Sequence, residues 1–339
     1  MQLGPIYIGG LDRCGKTTMR AFLVSHPSIA IPAVGSNMWT YFYGQYGDLA
    51  QPDNFERCLT ALLHYKHVRF MQPDPDRIRH EFWQGEPTYA RLFSLFLSHF
   101  AEREGKPRWG AQTGLIERYA PQLFAAYPGL KIIHMLRDPR DRYEASLARW
   151  PDGKGRAGGA VARWLYSTRL AEQHVRNYPG QYKIVRFESM VSEPEETLRD
   201  VCAFLGETFM PEMLRMEGAP RQRDRLLKGT TLAPGECPVS PAYIGGFRGK
   251  VPLPEIAFMQ LHAGHKMRAY GYESDPLYFS PKEWLKFYLS TWPNQMVRLG
   301  AWLAVELLQQ HFPGWVGRTP GQRMIIEEPY QPVNQLETM

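Results

Sequence analysis

The sequence predicts an α/β protein on three observations. An apolar run from Pro5 to Gly9 enters a glycine-rich turn, Gly10-Leu11-Asp12-Arg13-Cys14-Gly15-Lys16-Thr17-Thr18, and leaves it as the amphipathic segment Met19 to Leu23. Two later apolar runs, 131–136 and 182–187, read as strands, and helical patterns follow them. The chain has 339 residues, 44% of them hydrophobic, enough to bury the core of one large domain or two smaller ones.

The first of these stretches carries chemistry. A strand, a glycine-rich loop and a helix start leave backbone N–H groups open, and the helix N-terminus adds partial positive charge, so the turn suits phosphate. Gly10 and Gly15 allow close backbone approach, Lys16 adds a mobile cation and Thr17 a hydroxyl. Gly10 to Thr17 fits the G-x-x-x-x-G-K-T pattern of a P-loop.

Bulk properties narrow the setting. The net charge is +6 and the charges are interspersed, which suits an anionic ligand and gives no nucleic-acid footprint. Cys14, Cys58, Cys202 and Cys237 lie far apart with no C-x-x-C pair, so reduced thiols and a cytoplasmic setting are expected. The first strand begins by about residue 5, which argues against a signal peptide. The longest apolar run, Leu299 to Val305, is far short of the ~18 residues of a membrane span.

Along the chain, the first helix runs to about Ser25 and stops before Pro27. Residues 29–32 read as a short strand, and 35–48 as a loop rich in Trp39, Tyr41, Phe42, Tyr43 and Tyr46 that suits either an acceptor pocket or core packing. Helices are predicted over 54–66 and 88–103. His64 and His67, like His262 and His265, are spaced to share a helix face, but no third ligand is near, so no metal site is assigned. The strand 131–136 ends in Arg137-Asp138-Pro139-Arg140-Asp141 and a helix carrying Ser146, a place where α/β sheets bind ligands. A long helix over 158–177, the strand 182–187 and a helix over 195–205 follow. Residues 217–250 are loop-like and include Arg248-Gly249-Lys250, before a helix over 253–270. The composition shifts at 275. We divide the chain there, into an α/β domain over 1–275 and, over 276–339, an amphipathic helical extension broken at Pro293 and ending in a polar tail from Ile326. That extension suits packing on the domain, a membrane surface or a partner.

Three stretches together resemble the sulfotransferases that use 3′-phosphoadenosine-5′-phosphosulfate (PAPS), in the branch of bacterial, carbohydrate and protein-tyrosine enzymes. Arg13 to Ala21, ending at His26-Pro27, resembles that family's phosphosulfate loop and first helix. Ile132 to Asp141 with Ser146 resembles its Arg-Asp-Pro-Arg-Asp motif, and Arg186-Phe187-Glu188-Ser189 through Phe204-Leu205-Gly206 its following strand and helix. The match spans about 5–272. It implies a P-loop-kinase-like central parallel sheet flanked by helices. It implies further that Arg13, Cys14, Gly15, Lys16, Thr17 and Thr18 hold the 5′-phosphosulfate and that Arg137 and Ser146 hold the 3′-phosphate. Phe187 would contact adenine, and Arg248, Gly249 and Lys250 would close on the phosphates.

The chemistry agrees with those residue types. Sulfuryl transfer to a hydroxyl moves negative charge onto the leaving phosphate's bridging oxygen, where fixed cations stabilise it; Arg13 and Lys16 are the candidates, and no metal is required. The chain departs from the family at four places. Lys16 replaces the first loop threonine, and the serine after Arg137 comes one position late. Gln112 replaces a lysine, and Ala33-Val34 stand where the protein-tyrosine branch has its basic glutamate. Asp48, at the end of the aromatic loop, is the candidate base, with His64 behind it. The expected acceptor is a glycan or glycolipid, with a phenol as the other hydroxyl class, and the expected location is cytoplasmic, with peripheral contact at the inner face of a membrane. Two alternatives stand: an ATP- or GTP-dependent P-loop kinase or NTPase, and a relative that binds PAPS or PAP without catalysis. The former needs a magnesium-binding Asp after a second strand, whereas the strong strands end Leu136-Arg137 and Val185-Arg186.

Overall fold

A computed structural model describes residues 3–228, 236–311 and 319–330. Five strands form one sheet in the order β2-β3-β1-β4-β5, with every pairing parallel. They are β1 (Ile6–Gly9), β2 (Ile29–Ala30), β3 (Arg108–Gln112), β4 (Lys131–Leu136) and β5 (Tyr182–Arg186). The expected α/β fold with a central parallel sheet is what the chain adopts. β1 is central and buried on both faces, which is why it reads as an unbroken apolar run. Alternation splits the core: Ile6 and Ile8 face one cluster and Tyr7 the other.

The helices that position the site are α1 (Lys16–Leu23), α2 (Pro52–His64), α3 (Tyr89–Arg103), α4 (Pro139–Arg149), α5 (Ala157–Asn177), α6 (Pro194–Leu205), α7 (Leu253–Ala269) and α8 (Trp292–His311). α1, α5, α6 and α7 cover one face of the sheet, and α2 and α3 the other. The sequence missed β3, whose Arg108-Trp109-Gly110 start carries no strand pattern. It becomes a strand because β1 and β2 offer ladders on both sides, and Arg108 donates to the carbonyls of Gly4 and Leu205 and to Glu207.

Three expectations are corrected. His64 and His67 do not share a helix face, because α2 ends at His64 and Tyr65 turns extended. The C-terminal helix is not broken at Pro293. A π-turn over Phe287–Thr291 runs without a break into α8, and Pro293, the second residue of α8, follows that turn, whose widened backbone accommodates the ring and the missing N–H. The segment called a polar tail is docked where it is described. Ile326 N donates to the His64 carbonyl at 2.8 Å and Tyr330 Oη to Pro73 O at 2.8 Å; residues 331–339 lie outside the described residues. The part of the 217–250 loop over 229–235 lies outside them too, and 220–227 is helical.

α8 packs along α5. Gly158 makes the close approach possible, since a Cβ there would lie 2.0 Å from Gln295 O. Gln295 Oε1 accepts from Gly158 N at 2.8 Å, its Nε2 donates to Gly155 O at 2.9 Å, and Arg118 and Glu306 form a buried ion pair.

Candidate active site

The P-loop leaves β1 at Gly10, where φ is +97° and a Cβ would lie 2.2 Å from Met135 O, so only glycine fits against β4. Arg13 and Gly15 also have positive φ. α1 then starts with no side-chain cap, so the N–H groups of its first turn, at Lys16, Thr17 and Thr18, are open to an anion. The Lys16 ammonium folds over the loop and donates to the carbonyls of Gly10 at 2.7 Å and Leu11 at 2.6 Å. Cys14 is buried in the core, and burial pushes its thiol up, so only its backbone faces the loop.

The second cation comes from the end of β4. Arg137 Nη1 donates to Arg13 O at 3.1 Å and Nη2 to Tyr243 O at 3.0 Å; its buried Nε has no partner among the described residues. Arg13 Nε donates to Ala145 O at 3.0 Å. Burial, and then the charge of Arg137, draw the Arg13 guanidinium below its usual range. Trp164 of α5 fixes the strand end by donating to Arg137 O at 2.9 Å. Phe187, at the end of β5, lies under the Arg137 guanidinium and against Gly15. Arg13, Lys16, Arg137 and Phe187 thus converge on the carboxyl ends of three adjacent strands, a position no single motif specifies.

The basic loop is not brought there. Arg248 is held by Asp275 through two contacts of 2.7 Å, and Lys250 by Glu144 at 3.2 Å. Asp141 at the start of α4 accepts from Gly245 N and Phe247 N, which docks the segment with both cations on outer carboxylates. Gly249, at φ +73°, makes the turn between them.

A cavity of about 970 Å³ opens beside the P-loop. Leu11, Asp12, Asn37 and Tyr41 line one side, and Ser146, Trp150 and Trp302 the other. Ser146 is therefore on the cleft wall, one turn beyond Arg142. The aromatic loop is divided: Trp39 and Phe42 are buried in the core, Tyr43 and Tyr46 are packed partly buried against it, and Asn37, Thr40 and Tyr41 reach the cleft. Asp48 does not reach it. It accepts from Ala50 N in a turn and lines a separate cavity with Tyr43 and Tyr89. His64 is spent on the Thr60 carbonyl. The carboxylate brought to the loop is Asp12, whose Oδ1 lies 4.0 Å from Lys16 Nζ. Asp12 went unselected in the sequence although it lies inside the loop motif. Arg142 and Arg163 had no sequence signal beyond a charged helix face, and α8 as a cleft wall had none.

Comparison with known proteins adds to the geometry. A model described as the sulfotransferase family matches residues 5–211. A Caenorhabditis briggsae protein assigned as a protein-tyrosine sulfotransferase is 21% identical over 215 residues, 62% of this chain and 68% of that one. Among solved structures, the sulfotransferase domain of the Synechococcus PCC 7002 olefin synthase superposes with a TM-score of 0.53 at 19% identity, covering 79% of this chain and 94% of that one.

Proposed function

The chain belongs to the sulfotransferase family, and from that premise we propose that it moves a sulfuryl group from PAPS to a hydroxyl held in the cleft beside the P-loop. The observation that carries the proposal is the meeting of Arg137 with the P-loop. A cation with an unspent buried Nε beside an uncapped helix start suits a nucleotide with phosphate at both ends.

The donor, when bound, supplies the activated sulfuryl group. The chain's own part is to hold and balance charge. Open N–H groups of α1 and the Lys16 ammonium bind and orient the phosphosulfate, and Lys16 and Arg13 stabilise charge on the leaving oxygen. Arg137 and Phe187 are proposed to hold the 3′-phosphate and the adenine. Asp12, not Asp48, is proposed as the base that takes the acceptor proton. Arg248 and Lys250 keep a proposed role in closing over the phosphates, which would require release from Asp275 and Glu144.

For the acceptor, the proposal is a hydroxyl compound. The Caenorhabditis briggsae relative is assigned to protein tyrosine, which favours trying phenols first. A glycolipid is the finer alternative, supported by the outer face of α8, where Val297, Leu303, Leu307 and Leu308 are exposed. That face suits peripheral contact with a membrane, the inner face in the sequence reading. No helix among the described residues is long and apolar enough to cross one. The kinase alternative finds no support at β4, because Asp138 is committed to Arg140 at 2.7 Å.

Melting curves with 3′-phosphoadenosine-5′-phosphate (PAP), ADP, and ATP with magnesium test the donor. A rise with PAP alone, followed by PAP release from PAPS with a phenol, is expected. PAP binding without turnover of any acceptor would favour the non-catalytic relative, and a rise only with ATP and magnesium would overturn the proposal.

A further inference from the structure

We propose that the cleft selects an acceptor carrying an anionic group, held by Arg142 and Arg163 beside an apolar wall; this rests on reading the cleft as the acceptor site. Arg142 is 4% exposed, lines the cleft from α4, and its guanidinium has no hydrogen-bond or carboxylate partner among the described residues, with Nε both buried and unbonded. The other buried arginines each give at least one guanidinium N–H to a protein acceptor, although Nη2 of Arg108 and Nε of Arg137 are also unbonded among the described residues. Arg108 has Glu207 and two carbonyls, Arg140 has Asp138, Gln260 and the Glu273 carbonyl, and Arg20 has the Ile31 carbonyl. An isolated buried cation is costly unless an anion meets it. Arg142 is held in that costly state at the edge of a cavity, which is where a ligand can supply the missing charge.

The neighbours deepen the imbalance. Arg163 of α5, an exposed side chain, lines the same cleft and has no hydrogen-bond or ion-pair partner among the described residues, with Asp12 and Glu306 as the carboxylates that act on it from farther off. Arg156 and Arg298 complete four arginines against two aspartates, Asp12 and Asp152, and Arg298 Nε is given to the neutral Asn294. The other walls are apolar: Leu147, Trp150, Ala160, Ala301, Trp302 and Val305. The ligand that answers this lining is a hydroxyl compound with an apolar or aromatic body and a carboxylate, phosphate or sulfate.

Three phenols that share ring and hydroxyl but differ in tail charge test it: 4-hydroxyphenylacetate, 4-ethylphenol and tyramine. Binding is measured by calorimetry with saturating PAP, for the unaltered protein, R163Q and R142Q. The anionic phenol should bind at least about 10-fold more tightly than the neutral one, with the cationic one weakest, as a charge-assisted contact of ~1.4 kcal/mol or more implies. R163Q should shrink that preference to about 2-fold, and its PAP affinity should stay within about 3-fold. R142Q should behave alike where it melts cooperatively; where it does not, R163Q decides. Equal binding of the three phenols, or an undiminished preference in R163Q, overturns the proposal. So does a loss of PAP affinity that matches the loss for the phenol, which would assign these arginines to the donor's phosphates. If PAP fails to bind at all, the donor reading falls, and the three phenols ranked without PAP still decide the anion site.

Discussion

The Arg137 guanidinium lies 4.2 Å over the ring of Phe187, so the residues that directly follow β4 and β5 are stacked on each other at the mouth of the P-loop. The stack holds Arg137 flat, with its Nη atoms on two carbonyls. Arg137→Ala should therefore weaken PAP by about 10- to 100-fold, the range of charge-assisted hydrogen bonds, and ADP by less than about 3-fold. Calorimetric titration of both nucleotides checks this, and equal losses would mean that Arg137 does not read the 3′-phosphate.

Lys16 spends its ammonium on two loop carbonyls, a contact of local consequence for folding. Lys16→Ala should cost at least about 100-fold in transfer rate, as removal of a transition-state donor does. The melting temperature should stay within a few degrees. Full activity in this variant would remove Lys16 from the chemistry.

Gly15 is held at φ +93°, and a Cβ there would meet Phe187 Cδ2 at 2.6 Å and Met190 Cε at 3.1 Å. Gly15→Ala combines backbone strain with a clash against the stack and should destabilise the fold by about 2–4 kcal/mol. Denaturant unfolding measures it. An alanine variant as stable as the parent would show that Phe187 can move freely from the loop.

Asp12 and Asp48 separate cleanly. Asp12→Asn should lower the transfer rate by about 10²–10⁴-fold, the usual worth of a general base. Asp48→Asn, altered in a turn of a different cavity, should transfer at near the parent rate. A reversed result would return the base to Asp48.

Stability should fall on mild acidification. His67, His134 and His174 are each held below the ordinary histidine value, first by burial. Their folded-state values being depressed, protons favour the unfolded chain once the pH drops below about 6.5, and stability is lost from there through the folded values. Asp141 and Glu188, raised by burial, act in the opposite sense nearer the carboxylate range. Urea midpoints between pH 7.5 and 5.5 should decline, and His134→Gln should flatten the decline; a level profile would refute it.

The sequence determined those features whose signals are local. Ile6 to Lys16 and Lys131 to Arg137 announce strand, turn and helix because apolar runs, glycines and prolines act on neighbouring residues. The long helices ran to within about two residues of their predicted ends for the same reason. β3 stayed hidden because its strand character comes from β1 and β2 on either side, and α8 because Pro293 is tolerated only after the π-turn before it. Tertiary structure alone decided which charges meet. Arg137 reaches the loop because β1 and β4 are adjacent, whereas Arg248 and Lys250 were captured by Asp275 and Glu144. Asp12 faces the cleft while Asp48 faces elsewhere, and the Arg142 guanidinium is left without a hydrogen-bond or carboxylate partner among the described residues. Pairing of charges depends on distances of a few ångströms between segments tens to more than 100 residues apart, from 27 for Arg248 and Asp275 to 106 for Lys250 and Glu144, and no spacing along the chain encodes them.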